Sequence, residues 1–151
     1  MSAIEIQIHP VKPTHFEQWQ SLYVQYLAFY NTTLTEPELA KVWAWFFNPQ
    51  EKIYCHVAMH QNQLIGLVHF REYLRPIRAN TGVFLDDLFV KQEYRGQQVA
   101  RALIQNVNDF CKNHEIALIR WITAPDNFEA RRLYDKVAIA TPWKMYEKTV
   151  S

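Results

Sequence analysis

The segment from Val83 to Phe110 constrains the fold more than any other. Val83-Phe84-Leu85-Asp86-Asp87-Leu88-Phe89-Val90 is apolar apart from two adjacent aspartates. An apolar run of strand length, without sustained alternation, reads as a strand covered on both faces. It passes through Tyr94-Arg95-Gly96-Gln97-Gln98 into Val99, Leu103, Val107 and Phe110, which mark one face of a long helix. A buried strand that turns straight into a helix is an anion site. The first helical amides have no intrahelical partner, and the helix dipole adds partial positive charge there. Arg95 at the turn and Arg101 one turn into the helix are placed to pair with phosphate. Neither GxxxxGK[ST] nor GxGxxG occurs, since Gly96 is the only glycine of this turn. From spacing alone, a plain strand–turn–helix with surface arginines fits the segment as well.

The rest of the chain alternates between the two periods. Ile4 to Ile8 reads as a short strand. Thr14 with Glu17, and Thr35 with Glu38, are capping-box pairs that open two aromatic-rich helices, the second ending at Asn48-Pro49. Ile53 to Met59 and Leu64 to Tyr73 read as strands joined by a hairpin turn at His60 to Gln63, and Pro76 to Gly82 as a loop. Ala117 to Thr123 is a further strand. Asp126 or Asn127 caps a short helix carrying Ala130, Leu133 and Tyr134, and Pro142 to Val150 is predicted to be the last strand. The expected fold is α/β: a mixed central sheet flanked by helices on both faces.

A chain of 151 residues that is 49% hydrophobic suffices for one domain with a real core, taken as 1–151. A net charge of +1 lacks the basic surplus of a nucleic-acid binder. Cys55 and Cys111 sit within regular elements, which favours a reduced chain. Met1 to Pro10 has no leader pattern, and no stretch approaches membrane-spanning length, so a cytoplasmic protein without membrane partners is expected. His56 and His60 are about 13 Å apart if both lie on one face of a strand, and no zinc spacing exists, so no metal is expected.

Two stretches carry a resemblance. Leu85 to Val90 followed by Glu93 to Leu103 resembles motif A of the GCN5-related N-acetyltransferases (GNAT), whose Q/R-x-x-G-x-G/A falls on Arg95 to Ala100. Asn127-Phe128-Glu129-Ala130-Arg131-Arg132-Leu133-Tyr134 is similar to that family's N-x-x-A-x-x-L-Y block. The resemblance implies acetyl-CoA as co-substrate and direct transfer to an amine, with no covalent enzyme intermediate. It implies that Gly96, Gln97, Gln98, Val99, Ala100 and Arg101, after Arg95, cradle the pyrophosphate. Main-chain groups of Leu88, Phe89 and Val90, together with Asn127, would hold the pantetheine arm. Tyr134 would touch the cofactor and act as general acid at the leaving sulfur. One departure is Gln98, which stands where the family has a glycine; its amide still serves if its φ is ordinary. A second is Asp135-Lys136-Val137-Ala138, which lacks the family's Gly-Phe pair.

Acetyl transfer needs a neutral amine, and ammonium groups with pKa values near 10.4 must first lose a proton, which a carboxylate can take. Asp86 and Asp87 are adjacent in a strand and therefore expected on opposite faces. By likeness to the polyamine acetyltransferases, Asp86 is the substrate-side base or binder. The competing reading pairs both acids with Arg71, Arg75 or Arg78. Tyr30 and Trp45 are candidate pocket rings beside Asp86 and Asp87, although aromatic stripes more often pack in cores. The acceptor is a small cationic amine such as a polyamine, amino acid or aminoglycoside, or else a protein lysine. The competing class is an acyl-CoA-binding regulatory module without turnover. A homodimer through the last strand, near Trp143 to Tyr146, is compatible with the family.

Overall fold

The computed structural model describes residues 4–151, so the first three residues, part of the segment read for a leader, lie outside it. The elements are β1 (Gln7–Pro10), α1 (Phe16–Phe29), α2 (Glu36–Trp45), β2 (Ile53–His60), β3 (Gln63–Arg75), β4 (Asn80–Val90), α3 (Val99–Asn113), β5 (Leu118–Arg120) and α4 (Phe128–Val137). The strands form one mixed sheet in the order β1-β2-β3-β4-β5. The first four are antiparallel, and β5 runs parallel to β4 after the α3 crossover. Two compact units are present, one running to Trp121 and the other Ile122–Ser151.

Local chemistry explains the boundaries. The β2–β3 turn places Gln61 and Asn62 at φ 49° and 64°. Two successive left-handed residues give a hairpin twist that matches the strands. The loop expected at Pro76 to Gly82 is shorter, because β4 already begins at Asn80 after a 3-10 turn at Pro76–Arg78. Gly82 permits this: a Cβ there would lie 2.9 Å from Cζ of Tyr73, its partner across the ladder. The capping box expected at Thr14 does not form. Pro13–His15 makes a 3-10 turn instead, in which the Lys12 amide donates to Nδ1 of His15, and α1 starts at Phe16. The second box does form: Glu38 N donates to Thr35 Oγ1 at 3.3 Å, and Thr35 N donates to Glu38 Oε1 at 2.8 Å.

Helices cover both faces of the sheet. On one face Trp19, Leu22, Tyr23 and Tyr26 of α1 and Leu39 of α2 pack on Cys55, Val57 and Leu67. On the other, Phe70 and His56 meet Phe110 and Asn106 of α3, and Gly66 admits Leu103 and Val99 against β3. Cys55 and Cys111 are buried and free.

In the second unit Asn127 caps α4, its Oδ1 accepting from Ala130 N at 3.3 Å. The last strand expected over Pro142 to Val150 is not formed. Trp143, Tyr146 and Val150 are 79%, 89% and 95% exposed. Local alternation cannot hold a strand whose backbone finds no ladder. Among the described residues no helix is long and apolar enough to cross a membrane.

Thr35→Ala removes the box acceptor at an exposed helix start. It is expected to lower the free energy of unfolding by about 1 kcal/mol, read as a shifted midpoint at unchanged slope in a urea titration, with Thr35→Ser restoring most of it.

Candidate active site

The site is organised by one extra residue in β4. His69 of β3 pairs with Asp87, while the next residue, Phe70, pairs with Leu85, so Asp86 is a β-bulge. A bulge breaks the alternation of side chains along its strand. His69 and Arg71 lie two apart in β3 and share the face that meets α1. Asp87 reaches His69, and Asp86 reaches Arg71. Both acids therefore act on one face, against the expectation of opposite faces.

Their surroundings differ. Trp19 Nε1 donates to Nε2 of His69 at 3.0 Å. Indole can only donate, so Nε2 is the bare nitrogen, and Nδ1 carries the proton that His69 donates to Asp87 Oδ2 at 2.8 Å. Tyr23 donates to the same oxygen at 3.2 Å. Burial pushes the Asp87 carboxyl up, but the bond from His69, with the Tyr26 and Tyr23 phenols beside it, outweighs this and holds Asp87 below its ordinary value. Burial, with Asp87's charge next, pushes the Tyr23 and Tyr26 phenols up, so they stay donors. Asp86 is shifted the other way: burial raises it more than Arg71 lowers it. Its carbonyl oxygen accepts from Tyr26 Oη at 3.5 Å. Asp87 is thus a fixed anion, and Asp86 is the acid with capacity for a further proton.

Beyond the bulge β4 opens. It pairs with β5 only from Gly82 to Phe84, whereas β3 accompanies it to Val90. The amide of Lys91 points to β3, bonding Ile65 O at 2.8 Å. Backbone groups alternate between edges, so Phe89 also faces β3, while Leu88 and Val90 present theirs to the open edge. Arg95 folds back on this end: its Nε donates to Val90 O at 3.1 Å, and its Cζ lies 5.2 Å from the Phe89 ring centroid.

The turn that follows is left-handed twice, at Gly96 (φ 76°) and at Gln98 (φ 68°). The ordinary φ expected of Gln98 is not adopted. Gln98 is the residue before α3, its carbonyl accepting from Ala102 N at 3.0 Å, and its side chain makes no capping bond. A non-glycine residue in this region is strained by roughly 1–2 kcal/mol. Among the described residues, none of the backbone amides from Gly96 to Arg101, including those of Gln97, Val99 and Ala100, donates to a protein acceptor. A Cβ on Gly96 would meet nothing within 4 Å. Left-handed residues that gather free amides at a helix start form an anion cradle, and Arg101 is exposed beside it.

Of the pocket candidates, Tyr30 is 52% exposed and stacks edge-on against Tyr26 at 5.0 Å, which links it to the bulge. Trp45 is partly exposed at the end of α2, while its neighbour Trp43 turns inward, 5.0 Å from Trp19. Asn127 spends Oδ1 on its cap and keeps its amide nitrogen as a donor. Tyr134 is half-buried on α4. Trp19, Tyr23 and His69 were not legible as site residues; the available signal was one histidine within the otherwise buried apolar run Leu64 to Phe70. Among the described residues no group of histidine, cysteine and acidic side chains is arranged to hold a metal.

The Acetyltransferase (GNAT) family pattern matches residues 17–138. The chain belongs to that family. It is 26% identical over 145 residues to D-amino-acid N-acetyltransferase HPA3 of Saccharomyces cerevisiae, covering 95% of this chain and 90% of that protein. Its fold is similar to ribosomal-protein-alanine N-acetyltransferase from Brucella melitensis biovar Abortus 2308, with a TM-score of 0.80 at 18% identity over 97% and 99% of the two chains. It is also similar to AAC(6')-Iy in complex with a CoA-S-monomethyl-acetylneamine bisubstrate analog, with a TM-score of 0.82 at 20% identity, again over 97% and 99%. The chain is an acetyl-CoA-dependent N-acetyltransferase. GNAT enzymes use acetyl-CoA, and the residues present fit it: free amides suit its pyrophosphate, and an open strand edge suits an extended amide-bearing arm.

Two outcomes follow. Gln98→Gly relieves left-handed strain of roughly 1–2 kcal/mol, partly offset by about 0.5–1 kcal/mol of added chain entropy. It is expected to raise the urea midpoint without weakening acetyl-CoA binding by calorimetry, whereas Gln98→Val lowers both. Asp87, depressed in the folded state, contributes stability that is present above the ordinary carboxylate pKa and lost as pH falls through its lower folded value. Asp87→Asn is expected to lose about 1–3 kcal/mol at pH 7 and to flatten the acid limb of stability against pH.

Proposed function

We propose that this acetyltransferase acts on the primary amine of a small molecule, by direct transfer, with Asp86 as the proton acceptor. The observation that carries this reading is the bulge, which turns a second carboxylate onto the face already lined by Tyr23, Tyr26 and His69. Acetyl-CoA supplies the acyl group as a thioester. Asp86 accepts the proton that the ammonium must lose before its nitrogen can attack. The new C–N bond replaces the C–S bond; the family pattern assigns to Tyr134 the proton that goes to the departing sulfur, and the second proton shed by the nitrogen after attack restores the phenol. The neighbouring Asp87 stays anionic and holds positive charge near the amine. Donors at the carbonyl oxygen would stabilise charge there, and the amides of the open β4 edge are the available ones.

The yeast relative named for D-amino acids and the aminoglycoside enzyme solved with a bisubstrate analog support a small amine over a protein lysine. The Asp86–Asp87 pair and the exposed rings of Phe29 and Tyr30 suit an acceptor carrying positive charge. Burial raises Asp86, so the acid limb of kcat/KM should lie above the ordinary carboxylate range, with activity falling as Asp86 takes up a proton.

A thiol-release assay over a panel of amines tests the assignment. Asp86→Asn is expected to lower kcat at least a hundredfold, the low end for a general base, and to remove the acid limb, with acetyl-CoA affinity kept. Tyr134→Phe should lower kcat at similar cofactor affinity. Full activity in either variant removes that residue from its role.

A further inference from the structure

The reading of Asp86 as the group that meets the amine leaves Arg71 unexplained, and Arg71 stands against it. The Arg71 Nε donates to both Asp86 oxygens, at 3.1 and 2.9 Å, and its Cζ lies 4.9 Å from the centroid of the Phe84 ring. The contact uses one nitrogen of three. Among the described residues neither Nη group meets a protein acceptor, and the side chain is 48% exposed. Asp86 is 27% exposed and takes only this one side-chain donor. Asp87, by contrast, is satisfied by Tyr23 and His69. The free hydrogen-bonding capacity of the bulge therefore belongs to Asp86 and Arg71 together.

A half-exposed ion pair of this kind adds little to stability, so folding alone does not account for two charges beside the open end of β4. Their chemistry does suggest a ligand. A carboxylate and a guanidinium in direct contact offer an acceptor for an ammonium beside a planar fork for a carboxylate. An α-amino acid carries those two groups on one carbon, at the same close spacing and with opposite sign. Phe84, its ring under the guanidinium, adds a cation–π contact on one side of it.

We propose that Arg71 and Asp86 form a clamp for the α-carboxylate and α-amine of a free amino acid, with Arg71 as the specificity-determining residue. This deepens the reading of Asp86 given above and rests on it. An acceptor with its carboxylate removed or esterified loses the Arg71 half of the clamp. It also leaves the guanidinium facing an uncharged group, which selects against simple amines.

The test compares D- and L-phenylalanine, their methyl esters and 2-phenylethylamine, with alanine and ethylamine as a smaller set, using the full chain and acetyl-CoA. The wild type is expected to favour the free amino acid in kcat/KM. The ratio of amino acid to decarboxylated amine should fall about ten- to a hundredfold in Arg71→Met, the range for losing charge-assisted hydrogen bonds. Arg71→Lys should recover part of it, since charge returns without the fork. Thermal melts of both variants establish that they fold. A wild-type ratio near one, or a ratio that Arg71→Met leaves unmoved, overturns the clamp even if amines are acetylated. If no acceptor is turned over, the transfer reading fails by itself, and calorimetry of phenylalanine into the CoA-loaded protein decides the clamp: binding lost in Arg71→Met sustains it, and absence of binding in the wild type ends it.

Discussion

One inserted residue in β4 sets the geometry on which the rest of the site depends. Without the bulge at Asp86, the two aspartates would point to opposite faces, and one would enter the layer of Phe70 and Phe110 against α3. With it, both carboxylates join the layer beneath α1, where tyrosine, histidine and indole donors are available. The same strand then loses its β5 neighbour after Phe84. Charge placement and edge opening thus occur within a few residues of one another, on the strand best anchored by its other neighbour.

Adjacency in the strand gives the two acids different chemistry because their partners differ. Asp87 is held by groups that can only donate to it, so its charge is retained at low solvent contact. Asp86 has one partner on a flexible side chain and an environment that disfavours its charge. Two titratable groups pushed apart in this way is the usual arrangement for dividing an anchoring role from a proton-accepting one. Trp19 takes part at one remove, since its N–H decides which histidine nitrogen faces the acid.

Much of this fold is legible in the sequence where periodicity is strong. The α3 face at Val99, Leu103 and Val107, the Thr35–Glu38 box and the β2–β3 hairpin are local signals, and they appear where their spacing puts them. The failures share a cause. Thr14 lost to a proline-led turn that satisfies the backbone differently, and Pro142 to Val150 carries a strand pattern without a partner to pair with. The bulge was hidden because register is a property of two strands. The Trp19–His69–Asp87 chain was hidden because its members lie far apart in sequence. Gln98 sits between these cases: the family pattern marks its place, yet its left-handed φ is known only from the turn itself.

That φ has a thermodynamic consequence beyond local strain. The left-handed shape of the turn competes with other backbone conformations, and glutamine lowers its population relative to glycine. Apparent affinity scales with the fraction of molecules already in the competent shape. Each 1.4 kcal/mol that relaxation could release therefore weakens capture of any ligand that needs this shape about tenfold. Residues that brace the turn, such as Arg95 clasping Val90, raise the population of that shape.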